Sequence, residues 1–69
     1  MPVRKTGDLV RELREAEGLT QAQLAERAQV ALSYINLIEA GQQDPPRPIL
    51  QRLARALRVP VKRLLQPES

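Results

Sequence analysis

The 69-residue sequence contains no cysteine and no histidine. The first absence excludes a disulfide framework and any thiolate metal site. Small secreted domains ordinarily need such staples, so a reducing, cytoplasmic setting is expected. Ser33 and Ser69 are the only serines, and no glycine-rich phosphate loop is present. Without His, Cys or a loop of that kind, neither an enzyme nor a cofactor-binding or metal-binding protein is expected. Phenylalanine and tryptophan are also missing, which leaves Tyr34 as the sole aromatic. The core must therefore come from Leu, Ile, Val and Ala, a composition that suits packed helices better than a sheet. No stretch approaches the ~18 apolar residues of a membrane span, and no apolar segment follows Met1-Pro2-Val3-Arg4-Lys5, so neither membrane insertion nor export is expected.

A chain of this length buries only ~60% of its unfolded surface and has room for one core. A single domain over 1–69 is expected, its ordered part about 6–66. Net charge is +3, compatible with a polyanionic partner. The charge is uneven: residues 19–41 hold one base and two acids, residues 42–69 six bases and two acids. Arg47, Arg52, Arg55, Arg58, Lys62 and Arg63 read equally as a solvated helix face. On the N-terminal side Asp8, Glu12, Glu15 and Glu17 interleave with Arg11 and Arg14, as an exposed, salt-bridged face does.

Apolar spacing and end signals divide the chain into about five short helices. Leu9, Val10, Leu13 and Ala16 share one face, with Thr6 as N-cap, Asp8 in the first turn and Gly18 as terminator. Thr20-Gln21-Ala22-Gln23 is a capping box, flanked by Leu19 and Leu24 at staple positions. It starts a second helix over about 21–28, with Leu24, Ala25 and Ala28 inward. After Gln29, Val30 and Ala31 comes a third helix, about 32–39. Ala31, Tyr34, Ile35 and Ile38 lie on its core arc, and Leu32, Ser33, Asn36 and Leu37 on the opposite side. Two leucines are unusual on a solvated face. Gly41 ends this helix. Gln42 to Pro48 reads as a polar loop, and Ile49, Leu50, Leu53, Ala54 and Leu57 as a fourth helix. Pro60 suits the first turn of a fifth, carrying Val61, Leu64 and Leu65 and stopped by Pro67. The fold class is all-α, and two short helices joined by a tight turn form a helix-turn-helix.

The run Leu19-Thr20-Gln21-Ala22-Gln23-Leu24-Ala25, with Val30, Ile35, Ile38-Glu39-Ala40-Gly41, Asp44-Pro45 and Leu53-Ala54-Arg55-Ala56-Leu57, closely resembles the Cro/phage-repressor (Xre) family. The likeness extends over about residues 8–65 without a gap. It implies a lambda-repressor-like bundle and a transcriptional regulator of repressor or controller type, with its recognition helix in the major groove of double-stranded DNA. By the same resemblance Leu32, Ser33, Asn36 and Leu37 reach base edges, while Gln21, Tyr34, Gln42 and Gln43 approach phosphates. The basic Arg47 is placed with the second group. Plain capping is the other reading of Gln21, and a core aromatic with a surface hydroxyl the other reading of Tyr34. Arg14 and Glu39 match a structural ion pair which, partly exposed, would contribute little. One recognition helix reads few base pairs, so a homodimer on a palindromic operator is expected, its recognition helices ~34 Å apart. Val59, Val61, Leu64 and Leu65 either make that symmetric contact or close the monomer's own core.

The sequence departs from the family pattern at several places. Gln29 and Arg58 stand where glycine is usual, Ala31 replaces a Ser or Thr cap, and Arg47-Pro48 replace a more apolar entry into the fourth helix. The recognition face holds no Arg, Lys or Gln. Asn36 can pair bidentately with adenine and the leucines can pack on thymine methyls, which predicts an A·T-rich site. In the alternative reading, Leu32 and Leu37 anchor a protein partner, as in an antitoxin-like adaptor.

Overall fold

The computed structural model describes residues 6–65, which form four α-helices and one 3₁₀ turn, with no strand among them. The helices are α1 (Thr6–Ala16), α2 (Gln21–Ala28), α3 (Leu32–Glu39) and α4 (Arg47–Leu57). Val61–Arg63 form the 3₁₀ turn. Val10, Leu24, Ile35, Ile38, Leu53, Leu57 and Leu64 are fully buried together. With one half-buried Tyr34 against them, the core is aliphatic, as an aromatic-poor chain requires. Helix α2 packs on both α3 and α4, α1 on α3 and α4, and the 3₁₀ turn on α4.

Four expectations change. The last segment is a single 3₁₀ turn rather than a fifth α-helix. Arg63 N and Leu64 N donate to the carbonyls of Pro60 and Val61 at 2.9 Å each, and the chain then drives Leu64 into the core before a longer ladder can form. Thr6 lies within α1 and does not precede it as a cap. Ala16 and Ala31, assigned to core faces, are exposed, Ala16 being the last residue of α1 and Ala31 the N-cap that precedes α3. Finally, α4 begins at Arg47, so the loop ends at Pro46 and Pro48 lies in the helix's first turn. A missing N–H is harmless there. Gln66, counted in the ordered part, and Pro67 lie outside the described residues.

All four helices end in the same way. The residue after each last turn is left-handed, at Gly18, Gln29, Gly41 and Arg58. The following N–H then reaches back to a carbonyl of the preceding turn, as in Leu19 N to Arg14 O, Val30 N to Ala25 O and Val59 N to Ala54 O, each 3.0 Å, and Gln42 N to Leu37 O, 2.9 Å. This is the Schellman motif. Its hydrophobic partner is supplied after α2 and α4 by Val30 and Val59, both packed against the core. Gln29 (φ 59°) and Arg58 (φ 61°) carry side chains in that conformation, at a cost of about 1 kcal/mol each. At Gln29 the turn closes in the left-handed conformation without glycine, and Val30 packed on the core holds it.

Gly7 has a different cause. It is buried where α1 crosses α3, and a Cβ there would collide with the Ile38 carbonyl. Gly7→Ala is therefore expected to destabilise by about 1–3 kcal/mol although alanine is the better helix former. Gln29→Gly or Arg58→Gly should instead stabilise by about 0.5–1 kcal/mol. Thermal unfolding followed by circular dichroism checks both signs, since each kcal/mol moves Tm by about 4–8 °C in a domain of this size.

Candidate nucleic-acid interface

Helix α3 is only eight residues long, too short to persist alone. Ala31 offers it no side-chain cap. Ile35 and Ile38 hold it from behind, both fully buried. The opposite side presents Leu32, Ser33, Asn36 and Leu37 together, all exposed. Leu32 at 44% and Leu37 at 41% are the exposed large hydrophobics among the described residues. The structure thus brings together on one surface the four side chains expected to meet bases.

Beside this face lies the start of α2. The capping box is formed, with Thr20 Oγ1 accepting from Gln23 N at 3.0 Å and Thr20 N donating to Gln23 Oε1 at 2.9 Å. Capping therefore belongs to Thr20 and Gln23, and the reading of Gln21 as a plain cap falls. Instead Gln21 Nε2 donates across to Glu39 Oε1 at 3.1 Å.

Glu39 is the only buried charged residue among those described, at 4% exposure. Arg14 Nε and Nη2 donate to its Oε2 and Oε1 at 2.8 and 3.1 Å, a bidentate fork, and Arg14 Nη1 donates to the Leu19 carbonyl at 2.8 Å. From the next turn of α1, Arg11 Nη2 donates to the Glu39 carbonyl at 2.7 Å, with its Nε 3.7 Å from Oε1. One carboxylate thus ties α1, α2 and α3, and no described buried side-chain polar atom lacks a partner. The Glu39 hydrogen bond holds the Arg14 guanidinium above the ordinary arginine range, against the opposing effect of burial. The expectation that this pair is partly exposed is overturned, the Arg14 and Glu39 side chains being 12% and 3% exposed.

The other predicted positions scatter around this face. Tyr34 is half-buried. Gln42 and Gln43, exposed in the α3–α4 loop, direct their backbone N–H groups to the Leu37 carbonyl at 2.9 and 3.2 Å, and Arg47 is exposed at the start of α4. Among the four candidate dimer residues, Leu64 is fully buried and closes the monomer core, which removes it from an intermolecular contact, whereas Val59, Val61 and Leu65 are half-buried. Arg11 escaped the sequence reading. Its i, i+3 spacing to Arg14 was the available signal, since such a pair shares a helix face, but the surrounding acids made that face look solvated.

The family model described as a helix-turn-helix domain matches residues 6–65. The chain belongs to this family. It is of the Cro/C1 type. The P22 C2 repressor DNA-binding domain superposes with a TM-score of 0.90 at 26% identity, covering 96% of this chain and 87% of that one. SinR of Bacillus subtilis, solved in complex with DNA, gives a TM-score of 0.83 at 34% identity over 87% of this chain and 97% of its own. The transcriptional regulator ClgR of Mycobacterium tuberculosis is 32% identical over 59 residues, which are 86% of this chain and 53% of ClgR. The chain thus spans about half the length of that relative. Among the described residues no helix is long and apolar enough to cross a membrane.

Removing one partner of the buried pair strands a charge. Arg14→Ala or Glu39→Ala should each cost about 3–5 kcal/mol, whereas the joint change Arg14→Met with Glu39→Leu should cost less than either. Urea unfolding of the three variants decides it. Additive losses would show that the ion pair does not couple the helices.

Proposed function

We propose that this helix-turn-helix domain is a sequence-specific DNA-binding transcriptional regulator of repressor or controller type, working in the cytoplasm and placing α3 in the major groove. The observation that carries the reading is the exposed strip Leu32, Ser33, Asn36 and Leu37 on a helix locked to its neighbours through Glu39. A rigid helix with one free face suits groove reading, because side chains held in register meet base edges without further ordering.

Asn36 is the only residue on the strip with both a donor and an acceptor on a planar amide, the match for adenine N7 and N6. Leu32 and Leu37 offer contact to thymine methyls. Gln21, Tyr34, Gln42, Gln43 and Arg47 are assigned to the phosphate backbone, which fixes register without reading sequence. With little hydrogen-bonding capacity on α3, DNA shape supplies the rest of the specificity. A second copy of the chain doubles the site, and Val59, Val61 and Leu65 are the apolar residues left for that contact.

Selection of bound duplexes from a random pool tests the proposal. The expected winner is a palindrome bearing A·T pairs, whose log affinity falls linearly with log salt. In Asn36→Ala one A·T pair per half-site should lose its preference, with a loss of about 1–3 kcal/mol on that site and near-equal affinity for its substituted versions. A pool from which nothing is enriched would sink the reading and leave the leucine strip to a protein partner.

A further inference from the structure

Arg11, Gln21, Asn36, Glu39 and Ala40 line one shallow groove between α1, the start of α2 and the outer side of α3. Two guanidinium groups, those of Arg11 and Arg14, meet a single carboxylate there. Arg14 takes both oxygens of Glu39 in its fork, so it consumes the carboxylate's charge and its best geometry. Arg11 is left 3.7 Å from Oε1, with its strong bond made to a neutral carbonyl and its side chain 45% exposed. Two guanidinium groups share the buried Glu39 carboxylate, Arg14 is also 3.9 Å from Glu15, and Arg11 is the cation that lines the groove. It is tethered at a fixed distance from Asn36 by the Glu39 carbonyl and is flanked by the Gln21 amide, whose second N–H is not used by Glu39.

We infer that this groove seats one phosphate of the DNA backbone and that Arg11 is its charged donor, a positioning residue that sets how deeply Asn36 enters the major groove. The inference rests on the DNA-binding reading above. An anion is the ligand the charges select, and a guanidinium presents several N–H donors, so Arg11 can keep its carbonyl bond while giving another to a phosphate oxygen. Arg14 has no such freedom, being turned inward to Glu39 and Leu19. The assignment explains why α1, so rich in acids elsewhere, places an arginine at this point of its α3-facing side. A phosphate here lies beside the base pair that Asn36 reads, so backbone contact and base readout share one rigid frame.

The test pairs Arg11→Gln with a set of duplexes that carry a neutral methylphosphonate at one backbone position each. In the unaltered protein, one position per half-site should weaken binding on the order of 10-fold, the size of a lost charge-assisted hydrogen bond. In Arg11→Gln that position should become silent while the others keep their effects, and the slope of log affinity against log salt should fall by about one unit per bound chain. Arg11→Lys, which keeps the charge, should restore most of the slope. Thermal unfolding of Arg11→Gln should stay close to that of the parent, because Arg14 still holds Glu39. Equal weakening at every methylphosphonate position in the variant would overturn the inference by reducing Arg11 to long-range attraction, as would an unchanged salt slope. Failure of the parent protein to select any duplex would instead remove the DNA-binding reading itself. Protection of the groove by inorganic phosphate alone, at concentrations that leave duplex binding intact, would also overturn the assignment to a backbone phosphate.

Discussion

The buried Glu39 carboxylate, held by the Arg14 fork and the Gln21 amide, is the interaction on which the rest of this molecule depends. Glu39 sits at the last turn of α3 and is met by Arg14 from α1 and by Gln21 from α2. Its desolvation is unfavourable by several kcal/mol, and only the complete set of hydrogen bonds offsets it. A leucine in its place would pack with less risk. What the ion pair adds is directional: a bidentate fork tolerates one distance and one angle, so the pitch of α3 against α1 and α2 is set by chemistry that a slippery apolar contact lacks. For a helix whose outer face is proposed to read DNA, that pitch matters more than a further increment of stability.

The same logic runs through the helix ends. Helices α2 and α3 have eight residues each, below the length at which a helix persists unaided, and α3 has no side-chain cap. They survive because their inner residues are fully buried and their termini close in compact, repeated motifs. Two of those motifs accept strain at Gln29 and Arg58. The turn between α2 and α3 thus closes without glycine, with Val30 as its hydrophobic pin, and Leu32, Ser33, Asn36 and Leu37 are left exposed on α3. An exposed face bearing Leu32 and Leu37 is unfavourable in isolation, which is the ordinary signature of a surface that awaits a partner.

Much of this was legible in the sequence because it rests on local signals. The capping box at Thr20 and Gln23 needs only a three-residue spacing. The inner and outer faces of α3 follow from helical periodicity, and Gly41 as a terminator follows from its freedom at positive φ. The parts that escaped depend on where elements meet. Periodicity places Arg14 on a helix face but says nothing of what covers it, so the ion pair was expected to be partly exposed when it is buried. The bond from Gln21 to Glu39 escaped because its partner is 18 positions away. Gly7 carried no turn signal at all, since its reason is the Ile38 carbonyl pressed against it from another helix. Ala16 and Ala31 failed for the complementary reason, the first being the last residue of its helix and the second the N-cap before its helix starts. Leu64 was assigned equally to two surfaces, and only the packing of the 3₁₀ turn on α4 removes one of them.

The most direct test of the central claim, that the α3 face locked by Glu39 is where DNA lies, is a titration of isotope-labelled protein with its selected duplex, followed residue by residue by NMR. The account predicts that the largest shifts fall on the backbone amides of residues 21–23 and 32–37 and on the side-chain amide of Asn36, with residues 53–57 of α4 nearly still. Shifts concentrated on α4 and the 3₁₀ turn, with the α3 amides unmoved, would contradict it.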